Sequence, residues 1–251
     1  MQFIVNAYKI LLNIRLKSLM IDGGTYEVIA IGELMLRLSP PNYEKIVTTH
    51  NFIVNYGGAE ANVAVSLANL GVDSTFFTVL PNTDLGKSCI NYLKANDVHT
   101  KHIIKADGRM GLYYLEEGVS VRPSQVIYDR ADSAFAEYDY KDVDFEEILK
   151  DYDWLHISGI TPALSYNCRK MMDMAVKAAK KMGLTVSFDP TGEVLSGHLR
   201  LQEMFLASTF LMLTYLLELN LFMYTEKMEQ MLKMVLQWTH LSKIWTEYLR
   251  Q

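Results

Sequence analysis

Cysteine is scarce: Cys89 and Cys168 are the only two in 251 residues, and they form no CxxC pair. That excludes a disulfide framework, and two reduced, partly buried thiols of a cytoplasmic protein are expected. The six His are scattered, with none in an HExxH pattern, so no metal site is expected. Positive charge is in deficit too. Lys and Arg number 24 against 29 Asp and Glu, for a formal net charge of −5. No global basic field draws nucleic acid to the chain, and no nucleic-acid partner is expected.

Residues 1–19 lack an unbroken apolar run, because Lys9, Arg15 and Lys17 interrupt it. That pattern fits neither a signal peptide nor a membrane span, which needs about 20 apolar residues in a row. A weak interfacial helix stays open as one reading of this segment. The preferred reading takes Met20 as the natural start and residues 1–19 as an upstream extension, within an amino-terminal extension over 1–25 that precedes the domain. At the other end the turn formers vanish: no Pro follows Pro190 and no Gly follows Gly197. A parallel sheet needs turn residues every ten or so positions. Residues 190–251 therefore read as helix or disorder.

Between these ends the composition is ordinary for a globular chain, 50% hydrophobic and 21% charged. The length allows one large α/β domain or two small ones, with a real core. Residues 28–32 are a short apolar run closed by Gly, a buried-strand signal. Residues 33–39 alternate until Pro40 and Pro41, and 52–56 form a further strand closed by Gly57 and Gly58. Helical spacing then runs from 59 to 70, with Gly71 beyond it. Residues 74–80 are β-rich. Thr83 or Asp84 caps a helix to about residue 96. Strands are expected at 111–116 and 125–130. The last unit is a strand at 154–158, a helix capped by Ser165 and ended by Gly183, and a strand at 185–189. Strand, helix and strand in this spacing predict two parallel neighbours joined by a right-handed crossover. The alternation predicts a doubly wound sheet.

Two clusters carry candidate chemistry. The first is Gly57-Gly58-Ala59-Glu60-Ala61-Asn62. Paired glycines after a strand allow close backbone approach, and the following helix start offers N–H groups to ligand oxygens. Asn62 has a donor and an acceptor suited to a sugar hydroxyl. The same residues also make an ordinary strand-to-helix turn, and both readings stand. The block is neither GxGxxG nor a Walker loop. The second cluster is Tyr113 with Tyr128-Asp129-Arg130. Residues 128 and 130 share a strand face, and the Arg fork suits a carboxylate. An exposed hairpin with ordinary surface residues is the competing reading.

The blocks GGAEANVAVSLANLG, VLPNTDLG, GLYYLE, YDRADSA, WLHISGITPALS and VSFD resemble, in order and spacing, the PfkB (ribokinase-like) carbohydrate kinases. Within them the chain is most similar to 2-keto-3-deoxygluconate kinases. The resemblance covers residues 26–189. It implies a ribokinase-like, doubly wound, mostly parallel α/β sheet with a small β-sheet lid, incomplete at the carboxyl end. The lid would come from segments near 34–39, 52–56 and 111–130. It implies a sugar-acid site at Gly57, Gly58, Asn62, Tyr113, Tyr128 and Arg130, with Arg130 on the carboxylate and Glu33 nearby. Glu60 departs from the small residue or Pro of the broad family signature, though the ketodeoxygluconate branch often has Glu there. ATP and Mg2+ are implied by the family, and pairing of lids implies a homodimer.

The family's GAGD-type helix start, with its catalytic Asp, has no counterpart in the sequence. Nor does the Asn-Tyr-Arg block expected after VSFD, because Asp189 is followed by Pro-Thr-Gly-Glu. A slipped reading frame near codon 190 accounts for this: a Tyr-Arg-Gly-Lys stretch read one base over gives the observed Thr191-Gly192-Glu193. The expectation is thus a sugar-acid kinase by descent, inactive as this chain, whose residues 190–251 do not follow the family. Two alternatives remain. One is a sugar-binding or regulatory module. The other is a membrane-associated protein using residues 205–222, which Thr209, Thr214, Glu218 and Asn220 weaken as a span.

Overall fold

Buried β-branched and aromatic residues set the central layer. In the computed structural model, which describes residues 10, 11, 14 and 26–189, β1 (Glu27–Ile31) and β4 (Asp73–Phe77) are parallel neighbours. β9 (Trp154–Ser158) lies on the other side of β1, and β10 (Thr185–Asp189) lies beyond it. All three pairings are parallel, with Trp154 opposite Thr185 and Ser158 opposite Asp189. The expected pair of adjacent parallel strands is present. Val28, Ile29, Ala30 and Ile31 are fully buried, as a strand covered on both faces requires.

Two helices show why the chain folds locally as it does. α1 (Ala59–Asn69) starts directly from the glycine pair, and α2 (Asp84–Ala95) is capped by the Thr83 hydroxyl. The crossover helix α6 (Tyr166–Met182) is capped by Ser165 Oγ on the Cys168 N–H and stops at Gly183, where φ is +78°. Cys89 and Cys168 are both fully buried, which pushes each thiol up to about 12.

The second layer is a four-stranded sheet of β2 (Met35–Ser39), β3 (Ile53–Gly57), β7 (Leu112–Glu116) and β8 (Gln125–Asp129), in the order β3-β2-β7-β8. It is antiparallel at both edges and parallel between β2 and β7. This is the lid that the sequence blocks implied.

Three local expectations change. The β-rich run at 74–80 is two strands, β4 and β5 (Val79–Pro81), broken at the buried Thr78; β5 pairs with β6 (Ile104–Ala106) instead of the main sheet. Residues 131–153, given no element from sequence, hold α3 (Ala134–Glu137) and α4 (Phe145–Leu149), capped by Ser133 and Asp144. They are too short for helical periodicity to register. α5 (Thr161–Leu164) is equally short.

Part of the amino-terminal extension belongs to the core. Ile10, Leu11 and Ile14 are helical and buried, packed in one cluster with Val28, Val63, Leu67, Val72 and Trp154. Their spacing puts them on one helical face. The expected helix or disorder over 190–251, and the membrane alternative at 205–222, lie outside the described residues. Among the described residues no helix is long and apolar enough to cross a membrane.

Candidate active site

The lid and the central sheet meet at the carboxyl ends of the parallel strands, where open α/β sheets place their ligands. Glu33, two residues past β1, is 3% exposed. Its Oε2 accepts from Arg130 Nε at 2.9 Å and from Arg130 Nη2 at 2.5 Å. Its Oε1 accepts from Ser133 Oγ at 2.6 Å. The chain's own carboxylate therefore takes one edge of the guanidinium.

The glycine pair is fixed by what lies against it. A Cβ on Gly58 would overlap the Glu33 carbonyl oxygen, and one on Gly57 would overlap the Tyr113 hydroxyl. Only glycine allows strand β3 to enter helix α1 at this closeness. Gly58 is the N-cap residue of α1, and its carbonyl accepts the first helical bond from the Asn62 N–H at 2.9 Å. Asn62 is half-buried in that first turn.

Tyr113 on β7 and Tyr128 on β8 are directly opposite in register, with ring centroids 5.8 Å apart. The Arg130 guanidinium lies 5.8 Å from the Tyr128 ring centroid. Strand β8 ends at Asp129, so Arg130 sits just past it, beside Tyr128. Arg109 secures this turn. Its guanidinium grips both Asp129 carboxylate oxygens at 2.7 Å and donates to the Ala131 carbonyl at 3.2 Å. The hydrogen bonds from Arg109 hold the exposed Asp129 carboxyl below the usual carboxylate range.

Six of the seven residues singled out from sequence are thus joined by direct contacts: Glu33, Gly57, Gly58, Tyr113, Tyr128 and Arg130. Asn62 follows them through its backbone bond to Gly58. Sequence reasoning missed Ser133, Arg109 and the buried network around Glu60, in which Ser158 Oγ and Thr161 Oγ1 both donate to Glu60 Oε1 at 2.6 Å. The departure of Glu60 from the family signature was the one available signal. Among the described residues no group of three or more His, Cys, Asp or Glu converges as a cation site.

Comparison with known proteins gives a consistent picture. The pattern of the "pfkB family carbohydrate kinase" matches residues 26–240. A Haloferax volcanii protein named 2-dehydro-3-deoxygalactonokinase is 39% identical over 167 residues, covering 66% of this chain and 52% of its own length. The crystal structure of a Thermotoga maritima 2-dehydro-3-deoxygluconokinase superposes with a TM-score of 0.65 at 45% identity, covering 70% of this chain and 52% of that one. The crystal structure of an E. coli protein named ribokinase II, in complex with ATP and Mg2+, superposes with a TM-score of 0.63 at 25% identity, over 74% of this chain and 59% of that one. The chain spans about half the length of the curated relatives it matches.

Proposed function

The chain belongs to the pfkB family of carbohydrate kinases, and on that premise we propose that its site takes a sugar acid, 2-keto-3-deoxygluconate or a close relative. The carrying observation is the Arg130 guanidinium, set beside Tyr128 and held by Glu33 through Nε and Nη2. The Nη1 side of that fork is the side a ligand carboxylate meets, and a charge-assisted bond there distinguishes an acid from a neutral sugar. Tyr113 and Tyr128 bring hydroxyls to the sugar's hydroxyls. Gly57 and Gly58 let the Tyr113 hydroxyl and the Glu33 carbonyl pack against the backbone at the start of α1, and Asn62 contributes an amide from the first turn of that helix. The names of the relatives support this reading.

The family uses ATP with Mg2+, as the E. coli complex illustrates. Mg2+ that travels with a nucleotide is held by one or two carboxylates and the phosphates themselves, and no residue of this chain is assigned to it. These 251 residues bind the sugar acid and transfer no phosphoryl group, because the sequence holds no GAGD-type segment and no matched base. General-base loss alone removes about 10²–10⁴-fold in rate. The lid supplies the homodimer contact through Phe52, Val54 and Ile127, all exposed apolar residues of the β2–β3 and β7–β8 hairpins.

Titration calorimetry with 2-keto-3-deoxygluconate tests the reading. Binding is expected for the full chain, none for Arg130→Ala, and none for a neutral ketose. A wild-type chain that gives no heat, or an Arg130→Ala variant that binds as well, overturns it. ATP turnover by the 251-residue chain would refute the proposed lack of transfer.

A further inference from the structure

Several chain segments converge on one buried carboxyl group outside the sugar contacts. Glu60 lies in the first turn of α1 and is 2% exposed. Its Oε1 accepts from Ser158 Oγ and from Thr161 Oγ1, each at 2.6 Å. Ser158 ends β9 and Thr161 begins α5. Ser158 Oγ also accepts from the Ile160 N–H at 3.2 Å, so the whole turn between them hangs on the same group. The other oxygen, Oε2, lies over Gly32, where a Cβ would overlap it. Gly32 leads directly into Glu33, the partner of Arg130. The helix that carries Glu60 begins at Gly58, which lies against the Glu33 carbonyl.

We infer that Glu60 is a positioning residue, whose carboxyl clamps the β9–α5 turn against the Gly57–Gly58 loop as a hydrogen-bond acceptor while its other oxygen packs on Gly32 at the end of β1. The inference rests on the sugar-acid reading for its functional consequence, but the clamp itself does not. The hydrogen-bond donors to its side chain are all neutral, the two hydroxyls and its own backbone N–H, so the arrangement calls for an acceptor oxygen and not for a negative charge. Burial raises the carboxyl above its usual range, partly offset by the two hydroxyl bonds, by a bond from its own backbone N–H and by the Arg130 charge. A small residue or Pro at this position, as in the broad family signature, cannot make these bonds. An amide can, because its carbonyl oxygen replaces Oε1.

The test compares Glu60→Gln, Glu60→Leu and Thr161→Val in the full chain. Hydrogen exchange is read by mass spectrometry over 57–62, 158–164 and 166–182, and the dissociation constant for 2-keto-3-deoxygluconate by calorimetry. Glu60→Gln is expected to exchange like wild type and to bind within about threefold of it. Glu60→Leu is expected to exchange about tenfold faster over both 57–62 and 158–164, with 166–182 unchanged, and to bind about tenfold more weakly. Thr161→Val removes one donor at similar volume and should show the same local loosening at smaller amplitude. Wild-type exchange at either segment in both Glu60→Leu and Thr161→Val overturns the clamp. So does a Glu60→Gln variant that behaves like Glu60→Leu, since the charge would then be what matters. Loosening that reaches 166–182 in Glu60→Leu leaves Thr161→Val to decide. If wild type binds no sugar acid while the exchange pattern holds, the sugar-acid reading fails and the clamp stands. If wild type binds and Glu60→Leu binds equally, the clamp has no part in the site.

Discussion

Removing the Arg130 side chain should destabilise the fold as well as the site. Arg130 and Glu33 have side chains only 11% and 3% exposed, and their closest approach is 2.5 Å. Forming such a pair gains little over two apolar groups, because both charges leave water. Breaking it is another matter. Arg130→Ala leaves the Glu33 carboxylate buried with only the Ser133 hydroxyl as a side-chain donor. An uncompensated buried charge of this kind costs about 3–5 kcal/mol. For a domain of this size each kcal/mol moves the melting temperature by about 2–4 °C. Arg130→Ala should therefore melt roughly 6–20 °C below wild type at pH 7, by calorimetry or circular dichroism. The double variant Arg130→Met with Glu33→Gln removes both charges and should recover most of that loss. An Arg130→Ala chain as stable as wild type would refute the reasoning, and so would a double variant no better than the single one. The second result would mean that packing, not the orphaned charge, sets the cost.

Acid should weaken the fold through His156. This residue is buried on β9 beside Ser187 Oγ at 2.9 Å, and desolvation lowers it to about 4, against a smaller upward pull from Asp189. Its folded value lies below the unfolded value of about 6.5, so the unfolded chain takes up the proton first. Stability is then lost as pH falls from about 6.5 towards 4, by roughly 2 kcal/mol between pH 7 and 5. His156→Gln should remove that part of the slope in urea titrations, and an unchanged slope would count against it. The amino-terminal segment should prove structural: Ile10→Ala and Ile14→Ala should each cost about 2–5 kcal/mol, as for buried aliphatic truncations. A chain lacking residues 1–19 with wild-type stability would contradict their burial against Val28 and Trp154. Val54→Glu with Ile127→Glu should shift the mass measured by light scattering from dimer to monomer, and a wild-type monomer at high concentration would refute the lid contact.

Most of the backbone plan was legible in the residues. Apolar runs ending in Gly, Pro or Asp marked the strands, because a covered parallel strand must be apolar throughout and must stop where the chain turns. Caps and stops such as Thr83, Ser165 and Gly183 marked helix ends, because the orphan N–H and C=O groups there need local partners. These are short-range demands, met within a few positions. The amino-terminal extension shows the limit of that logic. Its charges argued against a span, yet only the apolar surface that Val28 and Trp154 of the sheet form with Val63 and Leu67 of α1 decided that Ile10, Leu11 and Ile14 would be buried.

The pairing of the buried polar groups was decided by tertiary structure alone. The sequence offered Arg130 as a carboxylate binder, but its present partner, Glu33, is 97 residues away. Glu60 meets Ser158 and Thr161 across 98 and 101 residues. No local pattern encodes such pairs, since they depend on which strand ends lie side by side. Once β1 and β9 are neighbours and the lid folds over them, each buried polar group must find a partner or lose its hydration without return. The sheet order, set by hydrophobic burial, thus chose the partners that give the site its charge and shape.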